Sequence, residues 1–138
     1  MGSFLLFLNS MKRQKNILIT LIILICIICA ATSQHMREKS HGVLSSVDII
    51  LGSAPSFFYV LGAILFVPLI DNTIKFKKFL TLASLIALGA LIYEIEQIWT
   101  TLIFDYKDIL ATLAGYLIAI LIFSSCSFEP DNATQENE

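Results

Sequence analysis

Four stretches of nearly unbroken apolar residues alternate with short polar ones along this chain. The first covers residues 17–31, with Thr20 as its one polar side chain. Lys12, Arg13 and Lys15 precede it, and the small residues Ala31 and Ser33 follow before Gln34. Two readings fit that layout: a cleaved signal peptide, or a retained first membrane span over 17–33. The Ile and Leu residues run almost to Cys29 and leave little polar region before a cleavage point, which favours the retained span. At about 1.5 Å of rise per residue, it is short for a hydrocarbon core of about 30 Å. Met11 lies just before the basic cluster and is an alternative start, which would make residues 1–10 an upstream extension.

Residues 34–48 are polar and read as a loop. The second apolar stretch, 49–70, is punctuated by Gly52, Pro55 and Pro68. Ser53 suits a helix cap and Pro55 a first helical turn, so the pattern predicts a turn through residues 52–55 and a span over about 56–70. Pro68 then kinks or ends that span. Asp71, Asn72 and Thr73 make a turn, and the third span runs over 79–99. After a loop at 100–107 the fourth covers 108–123, with Asp108 as its N-cap at the positive end of the helix dipole. Residues 124–138 are polar and acidic, the composition of a disordered tail. The pattern therefore predicts an all-α, polytopic membrane bundle of four helices over residues 17–123. A basic segment, 1–16, precedes it.

Positive charge sets the expected orientation. Lys12, Arg13 and Lys15 form one cluster, and Lys75, Lys77 and Lys78 another. Two spans separate them, so they fall on one side, the cytoplasmic one by the positive-inside rule. Both termini are then cytoplasmic, and spans three and four are joined at the outer face. Tyr93, Trp99 and Tyr106 fit an interfacial aromatic belt there. On this topology the glycosylation triplet Asn132-Ala133-Thr134 faces the cytoplasm and is discounted.

Composition strengthens the membrane reading: 57% of the residues are hydrophobic and 14% charged, with a mean hydropathy of +0.80. Soluble domains carry about a quarter charged residues. The net charge of −2 and scattered basic residues exclude a nucleic-acid surface. Cys26 and Cys29 lie inside an apolar run and read as small packing residues without thiolate chemistry. Cys126 falls on the opposite side of the membrane from Cys29, against a disulfide between them. His35 and His41 lack a third ligand at metal-site spacing. No cofactor is expected.

The chemistry-bearing residues concentrate around residues 93–115. On span three, Ala83, Ala87, Ala90, Glu94 and Gln97 share one helical face; on span four, Asp108, Thr112, Gly115 and Ala119 do, with Ala111 beside them. Small residues at four-residue spacing let membrane helices approach closely, so the two stripes are expected to face each other. Ala87, Ala90, Ala111 and Gly115 would supply the packing. Glu94, Gln97, Asp108 and Thr112 would form a polar cluster near the outer surface, with Glu94 roughly 7 Å inside the end of its span. Glu96 points elsewhere and, with Asp105, is assigned to the interface.

The motif Glu94-x-x-Gln97, followed by Asp108-x-x-x-Thr112-x-x-Gly115, resembles that of the VanZ-like family of bacterial membrane proteins, which includes teicoplanin-resistance proteins. The stretch Gly52-Ser53-Ala54-Pro55-Ser56-Phe57-Phe58 is similar to that family's Pro-Asn-Phe entry to its second span. The likeness covers roughly residues 17–123. Thr112 stands where the family has Asn, and the loop lacks the family's Arg, leaving Lys107 as the nearby basic residue. The resemblance implies a role in the bacterial cell envelope, including glycopeptide tolerance, and a location in the cytoplasmic membrane. Membrane lipids, a lipid-linked or cell-wall-related ligand, a second copy of the chain and a membrane protein are the partners to expect. A structural or accessory subunit is the alternative. An intramembrane enzyme using Glu94 and Asp108 is disfavoured: the sequence has no paired nucleophile and base, metal set or phosphate loop.

Overall fold

The structure is a computed structural model that describes residues 2–39, 45–99 and 105–126. Four helices carry the fold: α1 (Gly2–Lys39), α2 (Ser45–Ile70), α3 (Phe76–Glu96) and α4 (Tyr106–Cys126). A single 3₁₀ turn, Gln97–Trp99, extends α3. No strand occurs among the described residues, and the chain is an all-α four-helix bundle. Each helix contains a stretch long and apolar enough to cross a membrane: Arg13–Met36, Gly52–Ile70, Phe76–Trp99 and Tyr106–Cys126.

Several helix bounds differ from the sequence reading. The polar residues 34–39 continue α1, and α2 is already helical from Ser45, so the expected loop at 34–48 contracts. Polarity alone does not stop a helix; Gln34, Arg37, Glu38 and Lys39 are good helix formers with no Gly or Pro among them. Residues 1–16, read as a basic segment before the bundle, are helical from Gly2. The predicted turn at residues 52–55 is absent, because Pro55 lies inside α2 and not in its first turn. Having no N–H, Pro55 cannot donate to the carbonyl of residue 51. Pro68 lies inside the last turn of the same helix. Helix α4 continues to Cys126, three residues past the expected end, and residues 127–138 lie outside the described residues.

Helix α2 is the central element. It packs against α1, α3 and α4, whereas α1 packs chiefly on α2 alone. The core reflects this. Val60, Leu61, Ile64 and Leu65 of α2 meet Ile19 and Cys26 of α1, Phe79 and Ala83 of α3, and Ala119 and Phe123 of α4. The buried residues of α1, Ile19, Cys26 and Ser33, recur every seventh position. That is a narrow seam of the kind two helices share when crossing at about 20°. The remaining apolar surface points outward: Ile25, Ile28, Leu85, Leu88, Leu117 and Leu121 are all exposed. Such a continuous apolar exterior is matched by lipid and not by water.

The turn at residues 71–75 sets the basic end of the bundle. Asp71 accepts from the Thr73 N–H at 3.1 Å, the Thr73 hydroxyl at 2.8 Å and the Lys78 ammonium at 3.2 Å. These donors, the Thr73 hydroxyl first, hold the Asp71 carboxyl below the usual carboxylate range. At this same end Phe79 stacks on Phe123 at 3.7 Å between ring centroids, joining the start of α3 to the end of α4.

Candidate functional site

The end of the bundle away from Lys75, Lys77 and Lys78 holds a buried carboxylate. Glu94 is 7% exposed, one turn before the end of the third membrane stretch. Its two oxygens are held by different elements. Ser56 of α2 donates its hydroxyl to Oε1 at 3.1 Å, and Gln97 donates its side-chain amide to Oε2 at 2.7 Å. The Gln97 contact is local: the residue opens the 3₁₀ turn three positions on from Glu94, where a helical side chain can reach back. The Ser56 contact crosses between helices. It depends on α2 being helical through Pro55, which puts Ser56 on a helix face instead of in a turn.

No ion pair to Glu94 occurs among the described residues. The described ion pairs join Lys78 to Asp71 at 3.2 Å, and Lys107 to Asp105 at 3.7 Å. Lys107, the basic residue closest in sequence to the motif, therefore lies on Asp105, with its ammonium 5.8 Å from the Tyr106 ring centre. Glu94 is thus solvated by two neutral donors. Acidic groups buried within a membrane bundle are costly, and they mark functional sites more often than ordinary packing residues do.

Thr112 is also buried, at 0% exposure, and its hydroxyl has no hydrogen-bond partner among the described residues. Thr20 and Thr32 of α1, by contrast, bond to carbonyls four residues back. Thr112 lies one turn before Gly115 on the buried face of α4. At Gly115 α4 comes close to α2: a Cβ there would sit 2.7 Å from the Phe57 carbonyl oxygen and 3.4 Å from the Leu61 nitrogen. Since α2 and α4 run in the same direction, Thr112 falls level with the start of this α2 segment, beside Ser56. Asp108 is half-buried in the first turn of α4.

Of the expected cluster, Glu94 and Gln97 are bonded to each other; Thr112 is buried, and Asp108 lies one turn nearer the start of α4 on the same face. One assignment changes, the α4 cap. Asp105 takes it: its Oδ1 accepts from the Lys107 N–H at 3.0 Å and its carbonyl from the Asp108 N–H at 3.0 Å. Asp108 is the third residue of the helix and not its cap. The small stripe of α4 also finds a different partner. Ala83, Ala87, Gly115 and Ala119 are buried as expected, and Ala90 and Ala111 are half-buried. Yet the tight approach of α4 is to α2 and not to α3. Helices α3 and α4 meet instead through larger side chains, Phe79 on Phe123 and the Ser84 hydroxyl bonded to the Tyr116 hydroxyl at 2.9 Å.

Sequence reasoning missed Ser56, although Ser53 and Ser56 are the two serines in the second membrane stretch. A rim of exposed aromatics surrounds this end: Tyr93, Trp99 and Tyr106, with Trp99 79% exposed. These are the residues the sequence reading assigns to an interfacial belt. Comparison of the chain with protein-family models, curated protein sequences and solved structures returned no match.

Proposed function

We propose that this chain is a VanZ-like protein of the bacterial cytoplasmic membrane. On this reading its termini are cytoplasmic, and it acts in the cell envelope through the polar cluster at its outer end. The cluster binds the polar group of a lipid or of a cell-wall-related molecule in the outer leaflet, and glycopeptide tolerance is the readout this predicts. One observation carries the proposal: Glu94 is a carboxylate buried between α2 and α3 with two neutral donors and no described cation. A carboxylate kept at that depth needs a reason beyond packing. Ser56 and Gln97 fix its orientation, and the unpartnered Thr112 hydroxyl adds a second polar atom at the same level.

The test is the glycopeptide tolerance of a susceptible bacterial host expressing the chain. The wild-type chain should raise tolerance, and Glu94→Gln should return it to the vector control. No change with the wild-type chain would overturn the envelope reading.

A second reading is favoured by the same geometry seen from the packing side. Both oxygens of Glu94 are occupied by protein donors, one of them from another helix. Glu94 then locks α2 to α3 in an accessory subunit of a larger membrane complex. On that reading Glu94→Gln and Ser56→Ala lower membrane abundance together.

A further inference from the structure

The basic end of the bundle carries a second candidate for binding. Arg13, Asn16, Ile17, Thr20 and Leu21 line an open groove on α1. They recur at three- and four-residue spacing and so share one helix face. The groove is divided by chemistry along its length. Its outer part offers the Arg13 guanidinium and the Asn16 amide; the part nearer the bundle centre offers Ile17 and Leu21, 52% and 51% exposed. Thr20 bonds to the Asn16 carbonyl at 2.8 Å, which commits its hydroxyl proton to the helix backbone.

The surroundings fix the sign of the ligand. Cys26 lies against Gly62, with 3.5 Å between the Cys26 Cβ and the place a Gly62 Cβ would take. Helices α1 and α2 run in opposite directions, and Arg13 precedes Cys26 by as many residues as Lys75 follows Gly62. Arg13 is therefore level with the turn that bears Lys75, Lys77 and Lys78. Of these, Lys78 is paired with Asp71. Arg13, Lys15, Lys75 and Lys77 have no ion-pair partner among the described residues. Among the described residues this end thus has an excess of positive charge around Arg13, where the first membrane-length apolar stretch begins, above a groove apolar enough for an acyl chain.

We infer that this groove binds an anionic phospholipid, its phosphate on Arg13 and Asn16 and its acyl chain along Ile17 and Leu21. The inference is independent of the function of the Glu94 cluster, which lies at the opposite end. Guanidinium and amide donors together match phosphate oxygens better than either does alone. The neighbouring lysines favour a lipid with net negative charge over a zwitterionic one. A basic residue near an anionic membrane surface contributes about 1 kcal/mol, or roughly fivefold in affinity.

The test uses the full chain in nanodiscs made from equal parts of phosphatidylglycerol and phosphatidylcholine. Lipid that stays bound on release from the disc is counted by native mass spectrometry. Phosphatidylglycerol should be retained at least about fivefold over phosphatidylcholine. Arg13→Gln should lower that preference roughly fivefold, while Lys15→Gln, about 160° away around the helix, should change it less than twofold. Arg13 is exposed and makes no described bond, so both variants should reach the membrane at wild-type level. Equal retention of the two lipids would overturn the proposal. So would a loss in Arg13→Gln no larger than in Lys15→Gln, because that indicates a diffuse field and no groove. Glycerol 3-phosphate, a phosphate without chains, should not displace the retained lipid; displacement at equal concentration would rule out the lipid as the ligand.

Discussion

Gly115→Ala is the sharpest test of the packing. The added Cβ would lie 2.7 Å from the Phe57 carbonyl oxygen, about 0.7 Å inside ordinary contact. That oxygen belongs to helix backbone and cannot swing away as a side chain could. Helix α4 must therefore draw back from α2 along the contact. A gap of that size forfeits about a quarter to a half of the dispersion energy of each contact it opens. Overpacking of this kind costs about 1–3 kcal/mol. Against it stands the gain in helix propensity on replacing Gly, about 1 kcal/mol. Gly89→Ala isolates the two terms, because Gly89 is helical and exposed, and a Cβ added there would meet nothing within 4 Å. Reversible unfolding of the purified protein in mixed micelles, with increasing denaturing detergent, gives both values. Gly115→Ala should be less stable than Gly89→Ala by about 1–3 kcal/mol. Equal stability of the two variants would refute the close approach of α4 to α2.

Three further outcomes follow from individual side chains. Thr112→Val removes a buried hydroxyl that has no partner, so it should leave stability unchanged or raise it by up to about 1 kcal/mol in the same assay; a loss larger than that would mean the hydroxyl is bonded. Asp105→Ala should cost about 0.5–2 kcal/mol through loss of the α4 cap, and Asp105→Asn should recover most of it, because Asn caps equally well. Asp71→Asn should destabilise at neutral pH and not at acid pH. The native Asp71 carboxyl titrates below its unfolded value, so its contribution is complete above the ordinary carboxylate range and is lost as pH falls through the lower folded value. Thermal melts at stepped pH should show the wild-type and variant curves converging on acidification.

Much of this architecture is legible in the sequence because lipid enforces simple rules. Apolar runs near membrane length mark four helices, and two lysine-rich clusters separated by two spans fall at one end. Helical spacing also marks the buried faces of α3 and α4, including Ala83, Ala87, Glu94, Thr112 and Gly115. Spacing identifies a face but not the neighbour it meets. Helix α2 is apolar nearly all round, with no stripe to mark it as central, so spacing alone pairs Gly115 with α3. Proline misleads in the same region. At Pro55 the chain has the residues of a turn, yet the helix continues through it, and only that continuity brings Ser56 to Glu94. Asp105 and Asp108 are both able to cap a helix, and their spacing does not choose between them; the backbone starts the helix at Tyr106 and makes Asp105 the cap.

The central claim is that the buried carboxylate serves function more than it holds helices together. Glu94→Gln separates these roles, since the amide oxygen can still accept from Ser56 while the second carboxyl oxygen is replaced by an amide nitrogen. The direct measurement is glycopeptide tolerance per unit of folded chain in the membrane, with abundance and unfolding free energy taken from the same preparations. Abundance should stay at the wild-type level and unfolding should shift by less than about 1 kcal/mol, the scale of a hydrogen bond between membrane helices, while tolerance is lost. Tolerance that falls only in proportion to abundance, or that survives the substitution, would contradict the claim.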